Sequence, residues 1–304
     1  MIKNKQLVLQ AVGIIGTLAC VVLFIRVPSL PTPDKLLVFL IFIFMIFHQA
    51  FAMLKRLLPF VALLVVYESF RSVAHHLNTH VDYQFAPHVD KLLFGNLPTI
   101  DLQNWWWHGA VRWYDYILYF PYLLHFVLPL ILAIVIWKTR EGLYWRFVGT
   151  YLVVSFAGFA TFLAFPAAPP WLATQNHFIP HIERISSDVW SAMGIHDFPS
   201  LYSHIAPNPV AATPSLHAAW ATLFVIFIYK LYGRRWAALS CIYPLLIYVG
   251  TVYEGEHYAV DILLGIVYAI AAYLLTPRLL RWLAGLWRRL KPVRQPAHGA
   301  IETK

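Results

Sequence analysis

Apolar runs approaching 20 residues recur along the chain, and they constrain its fold more than any other feature. An α-helix needs about 20 apolar residues to cross a bilayer. The runs do not alternate with period two, so they read as helices, which satisfy their own backbone hydrogen bonds in lipid. The overall balance agrees: 60% of the 304 residues are hydrophobic and 12% charged, with a mean hydropathy of +0.63. A soluble domain averages about 45–50% apolar and about 25% charged residues. The expected fold class is all-α, a polytopic membrane protein of about eight transmembrane helices.

In chain order, Lys3 and Lys5 precede a first run from Leu7 to Ile25. Thr17-Leu18-Ala19-Cys20 faintly resembles a lipoprotein cleavage box, but apolar sequence continues past it, and an uncleaved helix is expected. Arg26 to Asp34 is a Pro-rich turn. A second run covers Lys35 to Met53, and Lys55 and Arg56 interrupt the sequence before a third begins at Leu57. The third run carries Pro59 in its first turn, where proline is tolerated, and ends polar at Tyr67, Glu68, Arg71, His75 and His76. Asn78 to Tyr114 is loop-like, and its Trp105, Trp106, Trp107 and Trp113 suit the membrane–water interface. His76 and His80 have a spacing that metals use, but no Cys or carboxylate stands at ligand spacing. They read as interfacial polar residues, and neither a metal nor another cofactor is expected.

The fourth run, Asp115 to Trp137, has His125 at its middle, either as a packing residue or reaching into a polar cavity. The fifth, Leu143 to Phe165, is stopped by Pro166-Ala167-Ala168-Pro169-Pro170-Trp171. After a loop to Thr213 come runs from Pro214 to Tyr232, from Trp236 to Tyr253 and from His257 to Thr276. The organisation expected is two N-terminal helices over residues 1–56, a six-helix core over 57–277 and a basic tail over 278–304. Cys20 and Cys241 both lie in apolar runs, so no disulfide framework is implied.

The net charge of +9 does not point to a nucleic-acid partner once the charges are placed. Lys55 and Arg56, Lys138, Arg140 and Arg146, Lys230, Arg234 and Arg235, and Arg278 to Lys291 all fall at one set of helix ends, with Lys3 and Lys5. The positive-inside rule makes that set cytoplasmic. Both termini are then cytoplasmic, and most histidines face the other side of what is expected to be the plasma membrane.

Three unusual stretches share that other side: Pro166 to Trp171, Thr213-Pro214-Ser215-Leu216-His217, and Glu256-His257-Tyr258-Ala259-Val260-Asp261. His257 and Asp261 are one helical turn apart. A carboxylate there can accept the Nδ1 proton and leave Nε2 as a lone pair, the arrangement of a nucleophile or general base. A structural His–Asp hydrogen bond closing a helix end is the other reading. His217 lies at a helix start, where free N–H groups attract anions, with Thr213 or Ser215 as cap and Pro214 at the first position.

Pro214-Ser215-Leu216-His217 followed by His257-Tyr258-Ala259-Val260-Asp261 resembles the second and third signature motifs of the phosphatidic acid phosphatase type 2 superfamily. Phe165 to Trp171 is similar to the first-motif region of one branch, which includes inositol phosphorylceramide synthases and related bacterial membrane proteins. Tyr67 to Arg71 and Tyr119 to His125 are similar to that branch too. The resemblance spans Leu57 to Thr276 and implies a six-helix superfamily core. It implies that His257 attacks phosphorus to form a phosphohistidine, that Asp261 orients it, and that His217 protonates the departing oxygen. Water or an alcohol then takes the phosphoryl group, with no metal required.

The chain departs from the wider family at one place. Its phosphatases usually carry Lys and Arg in the first motif and a Ser-Arg pair seven and six residues before the nucleophile, where this chain has Gly250 and Thr251. Arg71 is the first candidate for meeting the phosphate charge, ahead of Arg112 and Arg184, which read more readily as solvated loop charges. Ser215, Tyr67, His125, Trp171 and Glu256 complete the expected substrate contacts. The function expected is a membrane lipid phosphatase or phosphotransferase acting at the extracytoplasmic face, with a lipid phosphate substrate and an acceptor lipid or alcohol. Transfer of a phosphoinositol-type headgroup between lipids is the alternative. A non-catalytic lipid or solute transporter with a His–Asp relay is a second, disfavoured because the polar residues cluster at helix mouths rather than near the midplane.

Overall fold

The computed structural model describes residues 2–27, 32–194 and 208–290. Among these, every regular element is a helix. The first three are α1 (Ile2–Arg26), α2 (Pro33–Ile46) and α3 (Ala50–Leu77). Then come α4 (Phe85–Phe94), α5 (Pro98–Trp106), α6 (Trp113–Leu123), α7 (Val127–Thr139) and α8 (Glu141–Ala164). Two short helices follow, α9 (Pro170–Gln175) and α10 (Ile185–Ala192). The chain closes with α11 (Leu216–Tyr232), α12 (Arg234–Ser240), α13 (Ile242–Tyr253) and α14 (Ala259–Leu290).

Five helical stretches are long and apolar enough to cross a membrane, or six if α6 and α7, bent by 49°, count as one. Eight were expected, and the difference has local causes. The second run is divided at His48, whose φ of 55° ends α2 after 14 residues. At 1.5 Å per residue that is about 21 Å, short of a hydrocarbon layer of about 30 Å. α11, with 17 residues, sits at the lower end of the spanning range of about 17–25, because the backbone ahead of it is committed to the site. α3 starts seven residues earlier than the sequence suggests, takes in Lys55 and Arg56, and runs unbroken across residues 56–57. α14 passes through Pro277 and continues to Leu290, well beyond the expected end near Thr276. The remainder of the basic tail, the segment 195–207 and the side chains of His75 and His76 lie outside the described residues.

Hydroxyl side chains on the spanning helices are satisfied locally. Thr150, Ser155, Thr161, Thr222, Thr251 and Thr276 each donate to the carbonyl four residues back. This hides polar atoms that lipid could not serve. The core is aromatic where α3, α8 and α11 meet. Phe60 and Phe227 both meet Phe147 edge-on, with ring centroids 6.0 and 5.0 Å apart, and Tyr151 lies against Trp220 at 5.4 Å.

The bundle has two distinct ends. At one, Arg56 pairs with Glu141, Lys138 meets Gln49, and the Tyr144 hydroxyl donates to the Arg56 carbonyl. At the other, the Pro166–Pro170 stretch lies between two extended segments. Asp82 N–H donates to Pro166 O (2.8 Å), Ala168 N–H to Asp82 O (2.9 Å) and Ala167 N–H to Val210 O (3.0 Å). Proline cannot continue α8, so its last carbonyls and the following N–H groups bond sideways instead. That lateral network delivers Thr213 to Ser215 to the site.

Candidate active site

The three unusual stretches converge. Trp171 N–H donates to Gly255 O at 3.1 Å, and Ser215 N–H donates to Asp261 O at 3.0 Å. Gly255 has φ +78°, a region that favours glycine, and an added Cβ would lie 3.0 Å from the Glu183 carbonyl oxygen. The Glu256 and His257 N–H groups then both donate to Thr251 O, at 3.0 and 3.1 Å, which fixes the turn carrying His257.

Asp261 and His257 are arranged differently from two residues on one helix face. α14 begins at Ala259, so His257 lies ahead of it and Asp261 is the third helical residue. From there the Asp261 carboxylate reaches back to the Tyr258 N–H at 2.9 Å, the reciprocal half of a capping box. Its other oxygen accepts from the Thr213 hydroxyl. His257 Nδ1 lies 3.6 Å from Asp261 Oδ2, which is electrostatic contact but longer than a hydrogen bond. The next two N–H groups, of Ala259 and Val260, donate to the two oxygens of Asp90 on α4, at 2.9 and 2.8 Å. Burial pushes the Asp90 carboxyl up to about 6, with those two N–H groups pulling the other way. Two carboxylates therefore hold the positive end of α14.

His217 projects from the first turn of α11. The cap is Ser215, whose hydroxyl accepts from Ala218 N–H at 3.3 Å; Pro214 precedes the cap, and Thr213 serves Asp261 instead. His217 Nδ1 lies 3.2 Å from His257 Nε2. If His257 carries its proton on Nδ1, towards Asp261, its Nε2 accepts from His217 Nδ1–H; the opposite tautomers reverse the direction. Asp261, His257 and His217 thus lie in one line. His217 stacks on Tyr122 (4.4 Å), and His125 lies between His217 (4.4 Å) and Trp220 (4.3 Å). His125 is buried, and its Nδ1 has no hydrogen-bond partner among the described residues.

Arg71 is bound through Nε to Glu68 Oε2 at 2.7 Å, and its charge is within electrostatic reach of Tyr122, His125 and His217. Tyr67, one turn back, is buried in the core against Phe156 at 6.0 Å. Arg184, though exposed, reaches two of the candidate substrate residues. Its guanidinium lies 4.0 Å from the Trp171 ring centroid, and its Nε donates to Glu256 Oε1 at 2.9 Å. Arg112 starts α6 as an exposed residue. Thr251, where related phosphatases carry Arg, is buried, and a Cβ at Gly250 would meet the Leu118 carbonyl oxygen at 2.8 Å. α6 packs where the Ser side chain of those phosphatases would otherwise project.

Two anchoring residues carry no local sequence signal. Asp90 sits in an ordinary amphipathic stretch, 169 residues from its partner Ala259. Gln103 on α5 donates to the carbonyls of Glu183 and Tyr253, both at 2.8 Å, and accepts from Glu183 N–H at 2.9 Å. It ties the Arg184 segment to the end of α13.

Fold and site together define a helical integral membrane enzyme of the kind that acts on lipid phosphate esters. The comparisons give the family. The PAP2 superfamily model matches residues 89–275, more than half of the chain, and the chain belongs to that superfamily. It is 29% identical over 230 residues to the phosphoinositol dihydroceramide synthase of Bacteroides thetaiotaomicron, covering 72% of this chain and 74% of that protein. It is 23% identical to the inositol phosphorylceramide synthase catalytic subunit of Schizosaccharomyces pombe, covering 72% of this chain and 54% of that one. Identity to the inositol phosphorylceramide synthase of Candida albicans is 22%, over 71% and 46% of the two chains. The chain thus spans about half the length of the two fungal proteins. No solved structure matches it.

Proposed function

We propose that the protein moves a phosphorylated headgroup of the phosphoinositol type from a donor phospholipid to the hydroxyl of an acceptor lipid. One observation carries the chemistry: His257 Nε2 faces His217 Nδ1 at 3.2 Å, with the Asp261 carboxylate behind His257. With the anionic phosphate bound, His217 is an imidazolium; His257 attacks phosphorus, and the bond to the lipid oxygen breaks as His217 gives that oxygen a proton and becomes neutral. The His257–Asp261 contact closes to a hydrogen bond as the imidazole gains charge; catalytic contacts are often long before substrate binds. The acceptor hydroxyl then returns its proton to His217 and takes the phosphoryl group from Nε2. Arg71 and the N-terminus of α11 face the phosphate oxygens with fixed positive charge, the kind of stabilisation that phosphoryl transfer depends on. The site opens at the extracytoplasmic face of the plasma membrane with both chain ends inside, as the distribution of basic residues supports.

The three relatives are named as synthases, which supports transfer over hydrolysis. Purified protein is incubated with headgroup-labelled phosphatidylinositol, with and without ceramide, and products are identified by mass. Labelled phosphoceramide product formed only when ceramide is present supports transfer. Free inositol phosphate at the same rate in both mixtures identifies a hydrolase instead.

A further inference from the structure

Beside the histidine pair lies a cavity of about 310 Å³, near the lower end of the range for small-molecule sites. Tyr122, Arg184, Ser186, Ser187, Ser191 and Glu256 form most of its wall. Two of its wall residues adjoin the histidines. The Tyr122 ring stacks on His217, and Glu256 is the residue immediately before His257. A group held on His257 through phosphorus can therefore direct its other substituent into this space.

The wall chemistry narrows the occupant. Glu256 Oε1 accepts from the Ser186 hydroxyl and from Arg184 Nε, so the carboxylate is already balanced. The Ser191 hydroxyl donates to the Ser187 carbonyl at 3.0 Å. With their protons committed, Ser186 and Ser191 present lone pairs, as Glu256 does, while Arg184 presents donors. A ring bearing many hydroxyls can donate to the first three and accept from the last. Trp190 adds an apolar face for the ring's C–H side. An ammonium headgroup would instead meet the Arg184 charge. The volume is ample for one ring.

Transfer adds a requirement of its own. The headgroup must stay while one lipid leaves and another arrives. A polar pocket walled by α6 and α10, with serines, Arg184 and Glu256 in its lining, meets that requirement.

We infer that this cavity binds the polyhydroxylated ring of the donor headgroup and holds it through both half-reactions, with Glu256, Arg184 and the α10 serines setting donor preference. The inference rests on the transfer reading above. To test it, the full chain in detergent carrying His257→Ala, which blocks turnover, is titrated with myo-inositol 1-phosphate, glycerol 1-phosphate, phosphocholine and inorganic phosphate. Inositol phosphate should bind about 10-fold or more tighter than inorganic phosphate, as expected for hydrogen bonds to charged groups. Adding Ser187→Trp, which fills the cavity, should make the two equal. Glu256→Gln, which keeps shape and removes charge, should reduce the preference, and it serves as the readout if Ser187→Trp does not fold. Equal affinities before the cavity is altered overturn the inference. So does a preference surviving both substitutions, or tighter binding of phosphocholine. The lipid-transfer assay is scored separately. Ring preference without transfer supports the pocket and removes the transferase reading; transfer without ring preference does the reverse.

Discussion

At the scale of residues, the two histidines hold distinguishable positions. His257 has Asp261 behind it, whereas His217 is flanked by aromatic rings, with its Nδ1 3.2 Å from His257 Nε2. An alkoxide leaving a lipid phosphate needs a proton, and general acid catalysis contributes about 10²–10⁴-fold. His217→Ala should lose roughly that factor on a lipid phosphate but much less on a nitrophenyl phosphodiester, whose leaving group departs without help. His257→Ala should abolish turnover of both. Equal losses for His217→Ala on the two substrates would remove the general-acid role, and an active His257→Ala would remove the mechanism. Both variants are first compared with wild type by thermal unfolding in detergent. The positions of these residues were legible in the sequence because His-x-x-x-Asp and Pro-Ser-x-His are local patterns that locate helix starts, while the roles proposed for them come from the resemblance. The contacts of Arg184 were not legible, because Trp171 and Glu256 reach it from separate segments.

At the scale of elements, the site depends on how closely α11 and α14 cross. A Cβ on Gly265 would lie 2.3 Å from the Ser215 carbonyl oxygen and 3.1 Å from the Ala218 Cβ. The nearest obstacle is backbone, which no rotamer change relieves, and small residues are what allow helices to approach so closely in membranes. Gly265→Ala should therefore separate the helices, costing about 1–3 kcal/mol of stability, and it should reduce turnover by pulling His217 away from His257. Val267→Ala, on the exposed side of the same helix, is the control, and equal behaviour of the two variants would contradict the close crossing. Asp90 acts on the other end of this arrangement. Asp90→Asn leaves only one acceptor for two N–H groups, and an unsatisfied buried donor costs about 1–3 kcal/mol. The pH sign follows from its raised carboxyl. The folded chain holds a proton at Asp90 up to about pH 6, whereas an unfolded Asp releases it near 3.9. Stability from this residue is therefore present below about pH 4 and lost as pH rises through 6. In detergent, Tm should fall over that interval in wild type and fall less in Asp90→Asn; parallel curves would show that Asp90 does not titrate there. No periodicity announces such a residue, since its partners lie 169 and 170 positions away.

At the scale of the whole molecule, the sequence conveyed the order of apolar segments well and their lengths less well. Hydropathy reports how far apolar sequence extends, but the left-handed backbone at His48 and the bend between α6 and α7 are local geometry laid over apolar sequence. What hydropathy and charge together do make is a claim about sidedness. The end holding Arg56, Lys138 and Glu141 and the end holding the histidines are opposite ends of one bundle, so a single determination of sidedness assigns both. Cys20 and Cys241, the two native cysteines, are first replaced by alanine. Single cysteines are then introduced at exposed positions: His108 and Asn176 towards the site end, Lys230 and Arg288 towards the basic end. A membrane-impermeant thiol reagent applied to intact cells should label the first pair only, and permeabilised cells should label all four. An excess of Lys and Arg near helix ends orients most such bundles with that end inside. Labelling at 230 and 288 but not at 108 and 176 in intact cells would place the chemistry in the cytoplasm. The donor lipid would then have to come from the inner leaflet, although the histidine chemistry itself would be unchanged.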